Sequence, residues 1–201
     1  MPRSVRFVIQ LAVLAFASFA LVDAAFACAC CANPGQRYVE VMKLDSDRRA
    51  QIESIRFSKA AELYVGEAGV DIIEGIATPA ERYALDVKRE EGRLVFALRD
   101  EANHEGTLTL TVPDKITIFE VDPRDSPDQG TGPTLYKEWK LTGQVVGAGV
   151  FNTGAEGKEL LTLILQGRGN SCTSASDFTH WTLVMQGQKG NYTLFGALEK
   201  Q

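Results

Sequence analysis

Gly106-Thr107-Leu108-Thr109-Leu110-Thr111-Val112 alternates without a break, with apolar residues at the even positions from Leu108 and threonines at the odd ones. Successive side chains of a strand point to opposite faces, so this stretch predicts a strand with one apolar, half-buried face. Pro113-Asp114 interrupts the pattern and KITIFEV (115–121) resumes it. A proline supplies no N–H to a ladder, which places it at a turn, a bulge or an edge.

Working outward, RYALDVKRE (82–90) and RLVFALRD (93–100) are strand-like runs separated by Glu91-Gly92, a hairpin turn signal. QRYVEVMKL (36–44) is a further strand, and Asn33-Pro34-Gly35 before it reads as a turn. Residues 45–65 are ambiguous: Ile52, Ile55 and Leu63 could line a helix opened by Asp45, Ser46 or Asp47. The run lacks a sustained 3.6-residue stripe, so the reading leans to a strand near 51–57 and a short helical turn at 58–63. DPRDSPDQGTGP (122–133) concentrates prolines, aspartates and glycines and predicts an exposed loop. Beyond it come LYKEWKLTGQVVGAG (135–149), KELLTLILQ (158–166), FTHWTLVMQ (178–186) and NYTLFGAL (191–198), joined by glycine-bearing turns.

This is an all-β chain of about eight to ten strands with no long helix between them. Parallel strands need crossovers of about a dozen residues, so the sheet is predominantly antiparallel. It closes as a barrel or packs as a two-sheet sandwich, and the terminal run of strands with short turns favours a meandering barrel. The layout resembles small ligand-carrying barrels, with no family motif to accompany it. LILQGRGN (163–170) and LVMQGQKGN (183–191) echo each other, as the shared need for glycine and asparagine at strand ends explains.

The first 27 residues read as an export segment. Arg3 and Arg6 precede the apolar run VIQLAVLAFASFALV, and Ala25-Phe26-Ala27 offers small residues to a signal peptidase. Cleavage there leaves 28–201 as one β-rich domain in the periplasm or outside the cell, with no transmembrane segment once the leader is removed. A lipid anchor at Cys28 is disfavoured, because Ala25 and bulky Phe26 fit a lipoprotein signal poorly. The chain carries 21 basic and 26 acidic residues, a net charge of −5 that argues against nucleic acid as a partner.

Cys28, Cys30, Cys31 and Cys172 are the four cysteines. An oxidising compartment predicts disulfides, with Cys31–Cys172 first and Cys28–Cys30 as a second pair. The alternative is a soft-metal site for Cu(I) or Zn(II) on Cys28, Cys30 and Cys31, although the spacing of a structural zinc site is missing. No cofactor is favoured. His180, with Asp177 three residues before it, is the candidate acid or base of a hydrolytic alternative. No nucleophile is matched to it, and Ser171, Ser174 and Ser176 form only a polar loop. Extended-strand spacing puts His180 on one face with Phe178 and Thr182. Asp122, Asp125 and Asp128 do not follow a calcium-loop pattern, and a solvated turn is favoured. Asn191-Tyr192-Thr193 fits a glycosylation acceptor. Tyr136, Trp139, Trp181 and Tyr192 are the candidates for lining an apolar pocket, although a filled core needs the same residues. The sequence therefore predicts a non-enzymatic domain for binding or interaction, its partner a small apolar ligand or a protein.

Overall fold

The computed structural model describes residues 35–66, 73–124, 135–152, 156–169 and 174–200. Eight antiparallel strands close a barrel: β2 (Ala60–Leu63), β3 (Arg82–Glu90), β4 (Arg93–Arg99), β5 (Glu105–Thr111), β7 (Leu135–Gly149), β8 (Glu156–Gly169), β9 (Phe178–Gln186) and β10 (Asn191–Ala197). Each barrel strand pairs with the next one along the chain, and β10 returns to β2 through Leu194–Leu63 and Phe195–Glu62. Two further strands, β1 (Arg37–Lys43) and β6 (Lys115–Val121), extend the sheet beyond the barrel.

The proline break explains how. β5 pairs with the C-terminal part of β7 and β6 with its N-terminal part, so the two follow one another along one edge of β7. Leu110 faces Val145 and Thr117 faces Lys140, so the β5–β6 side carries two more residues than β7 over this stretch. The excess falls at Val112-Pro113-Asp114, where proline cannot join the ladder. Strand β7 is thereby long enough, at 15 residues, to serve the barrel at one end and the extension at the other. On the far side of β6 lies β1, paired along its whole length from Arg37–Val121 to Lys43–Lys115.

The predicted strand at 51–57 is a correction. Residues Ser46–Ser54 form helix α1, and Asp45 caps it by accepting the Arg48 amide at 2.8 Å. A strong N-cap and a run free of glycine and proline outweigh the short alternation of QIESIRF. The predicted helical turn at 58–63 is also overturned, because Ala61 and Leu63 alternate into the core as β2. Helix α1 buries Ile52 against the barrel end formed by the β3–β4 turn and Val112, leaving a crevice of about 30 Å³ there.

Aromatic side chains fill the barrel. Phe57, Phe96 and Trp181 meet with ring centroids 5.6 to 6.3 Å apart, and Phe151 lies between Tyr83 and Tyr192 at 5.9 and 6.0 Å. Trp139 meets Phe178 edge-on at 5.2 Å. Leucines of β4, β5, β7, β8, β9 and β10 occupy the space between these rings, all within one continuous core. Among the described residues no helix is long and apolar enough to cross a membrane.

Candidate functional site

Leu135, Lys137, Trp139 and Leu141 share the inward face of β7, so a strand period of two carries a lysine into the interior. Lys137 is wholly buried. Its Nζ donates to the Ser174 carbonyl at 2.5 Å and to Asp177 Oδ2 at 2.8 Å, and stands 5.6 Å from the centre of the Phe178 ring. Glu120 on β6 is its directly opposite cross-strand partner.

Local sequence builds each part of this cluster. Ser174 caps a single 3₁₀ turn, Ala175–Asp177, and the Ala175 amide donates to Gln51 Oε1 at 2.8 Å, tying the turn to α1. Asp177 then lies across β8, where two glycines make room. A β-carbon at Gly169 would stand 1.7 Å from Asp177 Oδ2, and one at Gly167 would stand 2.0 Å from the Asp177 carbonyl oxygen. Burial pushes the Glu120 carboxyl above the ordinary glutamate range; Lys137 opposes that shift and Glu40 adds to it. Asp122 ends the same strand in the opposite sense. The Arg124 guanidinium, with an Nη2–Oδ2 distance of 2.6 Å, holds its carboxyl below the usual range against the effect of burial.

His180 stands apart from this cluster. A bulge between β8 and β9 sets Gln166 opposite His180 and Gly167 opposite Phe178, so Thr179 is the extra residue. Phe178 and Trp181 consequently both turn inward, and the expected sharing of a face by His180 and Phe178 is a further correction. His180 is exposed, with Nδ1 2.9 Å from Thr179 Oγ1, while Asp177 pairs with Lys137. The other histidine, His104, bonds Asp100 through its backbone N–H and its Nδ1, both at 2.8 Å. Burial would raise the Asp100 carboxyl, but these bonds outweigh it and hold the group low. Asp100 borders an open recess of about 580 Å³ with Glu81, Arg82 and Glu101, and both of its oxygens are already engaged.

Of the four pocket candidates, Trp139, Trp181 and Tyr192 belong to the packed core. Tyr136 is on the outer face, where its hydroxyl donates to Glu138 Oε1 at 2.6 Å and its ring meets Phe119. The four do not converge. No disulfide bond is found among the described residues, and the expected Cys31–Cys172 and Cys28–Cys30 pairs fall outside them. Cys28, Cys30, Cys31 and Cys172 all lie outside those residues, as do Asp125, Asp128 and Ser171. Among the described residues no group of three or more histidines, cysteines, aspartates and glutamates could hold a metal ion.

The outer face of β7–β10 has a different character. Its rows read Lys140–Ile164–Thr182–Phe195, then Thr142–Thr162–Val184–Thr193, then Gln144–Leu160–Gln186–Asn191. Lys140 is the one charged side chain among these twelve positions, in a chain that is 23% charged overall. Leu160 is 48% exposed, and neighbouring Val146 on β7 is 64% exposed. Strand alternation shows why: nine of these twelve outward positions are β-branched or amide-bearing, where a solvated face normally carries charges. No protein-family model, curated protein or solved structure matches the chain.

Sequence reasoning missed Lys137 and Glu120. The signal was present in LYKEWKL, where Lys137 keeps step with Leu135, Trp139 and Leu141.

Proposed function

We propose that this chain is an exported, non-enzymatic binding domain that engages another protein through the outer face of β7–β10. The observation that supports this reading is the three-row, nearly charge-free face, with Leu160 and Phe195 exposed on it. Removing such a surface from water stabilises an association by about 25 cal/mol per Å² of apolar area, with few charges to desolvate. The aromatic core argues for a surface contact in place of a ligand held inside the barrel. Export is supported by the leader-like residues 1–27, whose removal moves the net charge from −5 to −6. An acidic chain with one neutral face favours partners whose own contact surface carries little negative charge.

The test is native mass spectrometry of the protein purified from its exporting cells. A discrete species heavier than the single chain is expected, lost in Thr162→Lys and retained in Asp86→Lys on the exposed face of β3. A wild-type chain found only alone, or a complex indifferent to Thr162→Lys, would sink the proposal.

A further inference from the structure

We propose that Lys137 and Asp177 condense into an intramolecular amide bond, with Glu120 carrying the proton from the attacking nitrogen to the departing oxygen. The proposal goes beyond the binding reading and does not depend on it.

Three features of the cluster point to this chemistry. The amine is held against the Asp177 carboxyl: Nζ is 2.8 Å from Oδ2, and the glycines at 167 and 169 make room for that carboxyl. Lys137 is fully buried under the Phe178 ring, where an ion pair carries a desolvation cost that an amide bond does not. Glu120, directly opposite Lys137 with β-carbons about 5 Å apart in such pairs, brings a second carboxyl to the same inward face. Burial favours the protonated form of that second carboxyl, which is the form able to hand over a proton.

The steps balance. The Lys137 ammonium first returns a proton to the Asp177 carboxylate, giving an amine and a carboxylic acid. The Nζ lone pair then attacks Cγ, and the carbonyl electron pair moves onto its oxygen. Glu120 donates its proton to the departing hydroxyl and accepts one from Nζ, ending as it began. The Cγ–O bond breaks, the Nζ–Cγ bond remains, and one water leaves past Asp177, whose side chain is 26% exposed. No oxidant or reductant is required. Fixing amine and carboxyl together can reach effective molarities of about 10⁵ M or more, which drives a condensation that is unfavourable between free molecules in water. The product ties β7 covalently to the turn preceding β9, across 40 residues of chain, by a bond that thiol reductants do not cleave.

The experiment is the intact mass of the reduced, denatured full chain, referred to its own N-terminus, followed by digestion. Wild type is expected one water lighter than its sequence, with a branched peptide joining Lys137 to Asp177. Lys137→Arg and Glu120→Ala should recover the full mass. Asp177→Asn should lose one ammonia and arrive at the wild-type linked mass. A full-mass wild type with Lys137 and Asp177 in separate peptides overturns the proposal, as does a deficit that survives Lys137→Arg. Should a variant fail to fold, the branched peptide in wild type decides the matter alone.

Discussion

At the waist of the barrel Phe57 meets Phe96 and Trp181 edge to face, whereas at the end of β7 one of the fully buried side chains is a lysine. Both places lie on strands with the same inward-outward alternation. They differ in what faces them. Across the waist stands another wall of leucines and rings, which has no hydrogen bond to offer. At the extension the inner face of β7 meets a 3₁₀ turn, whose carbonyl at Ser174 and carboxyl at Asp177 engage the Lys137 Nζ. Closure of the sheet thus yields an apolar core. Where β7 and β8 overrun the closed part, a buried lysine becomes sustainable because backbone and side-chain acceptors are in reach.

The largest effect that can test the contrast is on the barrel side. Trp181→Ala removes a wholly buried ring from the aromatic cluster, and we expect a loss of about 3–5 kcal/mol in denaturant unfolding. A loss below about 1 kcal/mol would mean that the waist repacks freely and is no rigid core. On the extension side the sharper substitution is Gly169→Ala. Its β-carbon would fall on the Asp177 carboxyl, which must move away from Lys137. Overpacking of this kind costs about 1–3 kcal/mol. The same variant should also lose the water-mass deficit, whereas Trp181→Ala should keep it in molecules that remain folded.

How far these two regions could be read in advance follows from the same difference. The barrel was legible because GTLTLTV, RLVFALR and FTHWTLVMQ carry their own period, and closure needs only that every strand hide one face. The helix was not, since α1 buries Ile52 alone along its length and is set by the Asp45 cap. The Thr179 bulge was invisible too, because one extra residue in a strand leaves no compositional trace yet reverses which face Phe178 occupies. The cluster at Lys137 was half legible. Alternation puts the lysine inside, but its partner comes from a turn 40 residues on, and no local pattern reports such a meeting.

A smaller effect separates two carboxyls within the extension itself. Glu120 is raised in the folded chain, so its contribution is fully present below the ordinary glutamate pKa and is lost as pH rises through the higher folded value. Asp122 is lowered, so its contribution is present above the ordinary aspartate pKa and is lost as pH falls through the lower folded value. Stability measured against pH should therefore change in opposite ways. Glu120→Gln removes a decline on the alkaline side of the glutamate range, and Asp122→Asn removes a decline on the acid side of the aspartate range. Equal slopes for both variants and wild type would show that neither group is held as described.

The smallest expected change returns to the barrel and asks whether its polar atoms matter at all. Tyr192 is buried in the core beside Phe151, and its hydroxyl has no hydrogen-bond partner among the described residues. Burial, with Tyr83 nearby, pushes its ionisation far above the ordinary tyrosine range. A buried hydroxyl without a partner is a desolvation cost of about 1–3 kcal/mol that the ring's packing must offset. Tyr192→Phe keeps the ring and deletes that cost, leaving a void of one oxygen atom. We expect thermal unfolding between unchanged and stabilised by about 1 kcal/mol. The equivalent apolar replacement in the extension, Lys137→Met, should instead destabilise, because it leaves the Ser174 carbonyl and Asp177 without the nitrogen they engage. A marked loss in Tyr192→Phe would place a hydrogen bond in the barrel core, and the contrast between an apolar waist and a polar extension would then fail at Tyr192.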